Sequence, residues 1–261
     1  MSYMALAVVV CLLAAGTVQA AVRSQDVEYR HGDVVLQGYL AWDDAVKGLR
    51  PGVVVVHQWM GLTDYEKGRA RQLAELGYVA FALDIYGKGV RAKSPQEAGA
   101  LAAIYRNDRA LMRSRARAGL DALMASELCD KGRVAAMGYC FGGTVALELA
   151  RSGAPLAGTV SFHGGLDTPN PDDARNIRGA VLALHGADDP FGPREQVLAF
   201  QDEMRGAKVD WQMNIYGGAV HAFTDPSAGN DPSRGAAYNE KADKRSWEAM
   251  RAFFAEVFKK G

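Results

Sequence analysis

The stretch Arg133-Val-Ala-Ala-Met-Gly-Tyr-Cys-Phe-Gly-Gly-Thr144 constrains this chain more than any other. It reads as a short apolar strand ending at Gly138, a sharp turn at Cys140 and a helix that restarts after Gly142. Small residues two positions either side of the turn let the backbone bend tightly and lift the middle side chain clear of a sheet. Here the middle side chain is a cysteine. The pattern alone leaves two readings open: a nucleophile on a strand-to-helix elbow, or a buried core thiol beside a glycine-rich turn. The first requires a base and an acid elsewhere in the chain, in a workable order.

The surrounding pattern alternates strands and helices. Asp33–Trp42 has the alternation of a strand and is assigned to an N-terminal antiparallel hairpin. Gly52-Val-Val-Val-Val-His57 is a continuous β-branched run, the mark of a strand buried on both faces of a parallel sheet. A helix with Ala70, Leu73, Ala74 and Leu76 inside ends near Gly77, and Tyr78–Leu83 is the next buried strand. Helices are predicted over Pro95–Arg106 and Arg109–Ser126 before the elbow. After it come strands at Ala157–Phe162, Ala180–Leu184 and Val209–Tyr216, a helix near Arg194–Arg205, and a long helix over Tyr238–Phe258. This order specifies one open, mostly parallel sheet flanked by helices, an α/β class. No repeat, low-complexity tract or linker divides residues 21–261, so a single domain is expected.

Thirty lysines and arginines balance thirty aspartates and glutamates in 261 residues, so nothing advertises a nucleic-acid or anionic-membrane partner. The basic run Arg113-Ser-Arg-Ala-Arg117 reads as the solvated face of a helix. Residues 1–20 read as a signal peptide: Ala5–Ala15 is too short an apolar run to span a bilayer comfortably, and Val18 and Ala20 suit cleavage after Ala20. The start, Met1-Ser-Tyr-Met4, lacks the usual basic residue, which leaves an uncleaved anchor as the alternative. Export to a bacterial periplasm is the expectation, with no membrane association after cleavage and a monomeric state. The mature chain would keep Cys129 and Cys140. A strand between them holds the two thiols too far apart for a bridge, so both are expected to be free.

Ligands in open α/β sheets bind at the carboxyl ends of the strands. His57, Cys140, His163, His185 and the pair Asp188-Asp189 all fall there. Where an elbow nucleophile is followed in order by acid and histidine, only His221 lies beyond the acidic turn. No Gly-x-Ser-x-Gly competes. Either aspartate can serve on local grounds. His57 and His185 read as fixed near the sheet edge, His163 as a hydrogen-bonded strand-end residue with lining of the pocket mouth as the alternative, and His31 as an exposed turn residue. Metal-ligand spacing and a dinucleotide fingerprint are both missing, so neither a metal nor another cofactor is expected.

Three motifs, Gly138-Tyr-Cys-Phe-Gly-Gly143, Gly186-Ala-Asp-Asp-Pro-Phe-Gly-Pro193 and Gly218-Ala-Val-His-Ala-Phe223, give the chain a resemblance to the dienelactone hydrolases, cysteine-nucleophile members of the α/β-hydrolase fold. The resemblance spans nearly all of the mature chain. It implies hydrolysis of a small-molecule ester or lactone through a thioester, with Cys140 as nucleophile, Asp189 as acid and His221 as base. It also implies an oxyanion hole from the backbone amides of Trp59 and Phe141. Three positions depart from the family pattern. Gln58 stands where a glutamate pairs with the cysteine, which implies that Cys140 is paired with His221 permanently. Lys88 stands for a substrate-binding arginine and Asp225 for a second arginine. Gln58 and Lys88 are therefore expected to line the substrate site, and a dianionic lactone is expected to bind poorly. Two other classes remain: a non-catalytic binding protein on this scaffold, or a redox-active thiol protein.

Overall fold

The computed structural model describes residues 22–259. The signal-peptide assignment lies outside the described residues. Eight strands form one sheet: β1 (Val22–His31), β2 (Val34–Asp43), β3 (Arg50–Val56), β4 (Val79–Leu83), β5 (Cys129–Tyr139), β6 (Gly158–Phe162), β7 (Ala180–Gly186) and β8 (Trp211–Tyr216). Their spatial order is β1-β2-β4-β3-β5-β6-β7-β8. The β1–β2 hairpin turns at Gly32-Asp33 and joins β4 antiparallel, whereas every other pairing is parallel. The six helices are α1 (Asp64–Glu75), α2 (Pro95–Asn107), α3 (Arg109–Met124), α4 (Phe141–Arg151), α5 (Arg194–Gly206) and α6 (Glu240–Val257).

The valine run of β3 shows why the sheet needs cover on both sides. Val53 and Val55 pack with Ala70 and Leu73 of α1 and Met250 and Phe254 of α6. Val54 and Val56 point the other way, into a core with Leu120 of α3 and Val145 of α4. A strand whose alternate side chains enter two different cores must be apolar throughout, as this one is. A third cluster under α5 joins Phe200 and Met204 to Val181 and Ala183 of β7.

Two sequence expectations need correction. The arginines of the 113–117 run do not share a solvated face, because residues two apart on a helix point roughly 200° apart. Arg113 pairs with Glu148 at 2.7 Å and Asp173 at 2.6 Å, Arg115 is buried and donates to the carbonyl of Ile85, and only Arg117 is an open surface pair with Asp121. His31, expected to be exposed, is half-buried as the last residue of β1.

The elbow is built as its glycines demand. Cys140 takes φ 54° and ψ −118° between β5 and α4. A Cβ on Gly138 would sit 2.0 Å from the Gly142 carbonyl oxygen, and one on Gly142 would sit 2.2 Å from that of Val56. Backbone cannot yield as a flexible side chain can. Gly142→Ala is therefore expected to destabilise the fold by about 3 kcal/mol, the upper end of ordinary overpacking costs. Urea unfolding is the check, and an unchanged midpoint would show that the elbow has slack.

Candidate active site

Three segments converge at the carboxyl edge of the sheet. The elbow after β5 presents Cys140, the acidic turn after β7 presents Asp189, and the loop after β8 presents His221. His221 Nδ1 lies 2.9 Å from Asp189 Oδ2, and the His221 ring is close enough to the Cys140 sulfur for each to shift the other's titration. Asp189 is buried and its other oxygen accepts the Phe191 amide at 2.8 Å, which fixes the carboxylate. Asp188 is exposed, and its backbone amide donates to the carbonyl of Ala219. The structure thus separates two aspartates that local sequence reasoning left open.

Burial by itself would push the Cys140 thiol up, but it is outweighed by the His221 charge and hydrogen bond, the Phe141 amide and the more distant Arg106. The net direction is down. Burial opposes the His221 charge, yet the thiolate and Asp189 push the imidazole up to about 10. The two shifts run in the directions that favour a thiolate–imidazolium pair over a neutral thiol and imidazole. Cys129 differs: burial pushes it up to about 11. It lies at the opposite end of β5, opposite Arg50 while Gly138 lies opposite Val56, roughly 20 Å along the ladder, and both thiols are free. Iodoacetamide labelling of Cys140 is therefore expected to hold its rate from alkaline pH down past 9, the ordinary thiol value, and to fall only below it. Arg106→Met should move that midpoint upward. A midpoint at or above 9 in the native protein would refute the ion pair.

The loop after β3 is pinned around one amide. Gln58 N–H donates to Glu66 Oε1 at 3.0 Å, and the Trp59 carbonyl accepts the Tyr86 hydroxyl at 2.9 Å. Glu66 is the third residue of α1 and also closes its capping box with Thr63. Among the described residues nothing accepts the Trp59 N–H itself. The Phe141 amide, at the start of α4, is one of the groups that lower the Cys140 thiol. His57 holds the loop from below: Nδ1 donates to the Gln58 carbonyl at 2.6 Å, while Nε2 accepts the Ile85 amide at 3.1 Å. Burial lowers His57 to about 4, so it stays neutral in that role. His185 is likewise fixed, with Nε2 3.1 Å from the Gly192 carbonyl.

The two expected substrate-binding residues are placed less simply. Gln58 donates its side-chain amide to Asp225 Oδ2 at 2.7 Å. The two departures from the family pattern are thus one feature, a neutral donor matched to a carboxylate across the cleft. Asp225 also caps the turn at Pro226–Ala228 through Ser227, so its charge is already engaged. Lys88 is not brought to the thiol: its ammonium pairs with Glu28 on β1, four strand positions from β5, or about 19 Å. That expectation is corrected, because a carboxylate on the edge hairpin captures the flexible cation.

Sequence reasoning missed Arg106, Tyr86, Phe191 and Glu66. Arg106 stacks its guanidinium 5.9 Å from the Phe141 ring centroid, and among the described residues it has no carboxylate partner. Phe191 is 61% exposed yet packs edge-on against the His221 ring at 5.2 Å, an apolar handle at the rim. No local pattern marks such residues, since a helix-end arginine and a loop phenylalanine are ordinary in sequence. The arrangement combines a thiol lowered from its ordinary pKa, an imidazole raised above its own and held by a buried carboxylate, and no cluster of metal-ligating side chains among the described residues.

Parallel sheet, elbow and thiol–imidazole pair together define a hydrolase of the α/β class. The dienelactone hydrolase family model matches residues 36–258, and the chain belongs to that family. It is accordingly a carboxylic ester hydrolase acting on small molecules. Among solved structures it is similar to m3DLH, at 45% identity and TM-score 0.88 over 91% of this chain and 99% of that one. It is equally similar to the dienelactone hydrolase-like promiscuous phosphotriesterase P91 from metagenomic libraries, at 46% identity and TM-score 0.87, with the same coverage. A curated relative, protein usf of Aquifex pyrophilus, is 29% identical over 89% of this chain and 98% of its own length.

Proposed function

We propose that the protein cleaves esters or lactones through Cys140, His221 and Asp189, by way of a thioester on Cys140. The observation that carries this reading is the 2.9 Å hydrogen bond from His221 to the buried Asp189, with that imidazole beside a thiol held below its ordinary pKa. The Cys140 thiolate attacks the carbonyl carbon, and the Trp59 and Phe141 N–H groups stabilise the oxyanion. Collapse expels the alkoxide, which takes the proton from the His221 imidazolium. His221, now neutral, removes a proton from water, the hydroxide attacks the thioester, and the acid departs as thiol and imidazole recover their ion pair. Asp189 holds the ring in the Nδ1–H tautomer and stabilises its charged form.

Neutral or singly charged esters suit this site better than dianionic lactones, because Lys88 is paired with Glu28 and Asp225 contributes a carboxylate where the family has an arginine. Phosphotriesters form a second candidate class, supported by the 46% identity to a promiscuous phosphotriesterase. A redox role is disfavoured by the position of Cys129, and a purely binding role by the intact run of three groups. We further propose a single domain over residues 21–261, monomeric, exported and cleaved after Ala20.

The decisive experiment is acid-quenched mass spectrometry after mixing with p-nitrophenyl acetate. One acetyl group on the Cys140 peptide, decaying at the turnover rate, is expected. Acetylation of a serine, or turnover with no acyl-enzyme, would sink the mechanism. A parallel screen of lactones, aryl esters and a p-nitrophenyl phosphotriester would rank the substrate classes.

A further inference from the structure

We propose that His163 is a positioning residue, a neutral imidazole that binds the nucleophile's own backbone amide and ties the elbow to the loop carrying His221. This inference rests on the assignment of Cys140 and His221 above. Cys140 holds a backbone conformation that costs on the order of 1–3 kcal/mol and survives only where its surroundings over-determine it. Its N–H is shared between the Phe162 carbonyl at 3.0 Å and His163 Nδ1 at 3.1 Å. Because Nδ1 accepts, the ring proton sits on Nε2, which donates to Thr224 Oγ1 at 2.7 Å.

Thr224 follows His221 by three residues, so the His163 ring spans the two segments that must meet. The ring packs edge-on against His221 at 5.3 Å and against Phe223 at 5.0 Å. Outward, the chain continues in buried groups. The Thr224 hydroxyl lies 2.7 Å from the Tyr65 hydroxyl, which accepts from Arg69 at 3.3 Å, and Arg69 pairs with Asp243 of α6 at 2.7 Å. Arg69 also donates to the Thr224 carbonyl at 3.0 Å. The nucleophile's amide is thereby linked to α1 and α6 on the far side of the histidine loop.

The ring must stay neutral for this to work, since an imidazolium has no lone pair for the Cys140 N–H. Burial holds it well below the ordinary histidine range, and the groups facing it act the same way: His221 beyond β8, Arg69 of α1 and His185 of β7 are all bases.

The side-chain atoms can be separated by substitution. His163→Asn keeps an acceptor near the Nδ1 position and tolerates the positive φ of 40° found there. His163→Phe keeps the ring contacts and loses both hydrogen bonds. The readouts are kcat, KM and the pH midpoint of Cys140 labelling by iodoacetamide. His163→Phe is expected to lower kcat on the order of 10- to 100-fold, as slight misplacement of reacting groups does, with KM within about 3-fold and the labelling midpoint raised. His163→Asn should recover most of kcat and return the midpoint. Thr224→Val, which removes only the outer link, should shift both in the same direction by less, and it decides the matter if His163→Phe does not fold. A folded His163→Phe or Thr224→Val protein with native kcat and native midpoint would overturn the proposal. Failure of the underlying assignment would look different, as turnover surviving in Cys140→Ala.

Discussion

Cys140→Ala is expected to reduce ester turnover on the order of 10⁴-fold or more, to the residual rate that oxyanion stabilisation and binding leave behind. The reasoning is that every covalent step passes through this sulfur. Removing it also frees His221, whose elevated pKa depends on the thiolate as well as on Asp189. The variant's His221 should therefore titrate well below 10, which NMR of the imidazole would read directly. Stability should change little, because alanine removes a single heavy atom and keeps the elbow's backbone. Turnover within 10-fold of native would mean that another nucleophile operates. The same variant also tests whether Cys129 matters, since that thiol would then be the remaining one in the described chain.

Asp189→Asn is the second large effect, a loss on the order of 10⁴-fold in kcat. Asparagine is nearly isosteric, but it can present an N–H to His221 Nδ1, which selects the wrong tautomer. The alkaline limb carries the more specific signature. His221 must be protonated to expel the leaving group, so native activity is present below its pKa and lost as pH rises through about 10. Removing the Asp189 charge and hydrogen bond lowers that pKa, so the limb moves to lower pH. Asp188→Asn should leave both rate and limb within a few-fold of native, since that side chain is exposed and off the imidazole. Equal losses at the two aspartates would mean that the acid has been misassigned.

Much of the molecule was legible in the chain. The β3 valine run, the spacing of strands and helices and the Gly-Tyr-Cys-Phe-Gly elbow are local patterns, and local patterns are what periodicity and backbone sterics encode. Small differences sit at the ends: β8 begins at Trp211 rather than Val209, and α6 at Glu240 behind an Asn239 cap rather than at Tyr238. The 113–117 arginines misled because run length says nothing about helical azimuth. Lys88 misled because a position inherited from a resemblance carries no information about a competing Glu28 sixty residues away.

The sequence by itself determined the architecture, the thiol at the elbow and the one histidine that follows the acidic turn, because each depends on residue type and order along the chain. Only the tertiary structure decided which aspartate meets that histidine, that Gln58 and Asp225 answer each other across the cleft, and that Arg106 rather than Lys88 lies near the thiol. It also showed His163 holding the nucleophile's amide from another strand. Those are contacts between side chains far apart in sequence, fixed by where the sheet edge brings its loops together, and no pattern along the chain records them.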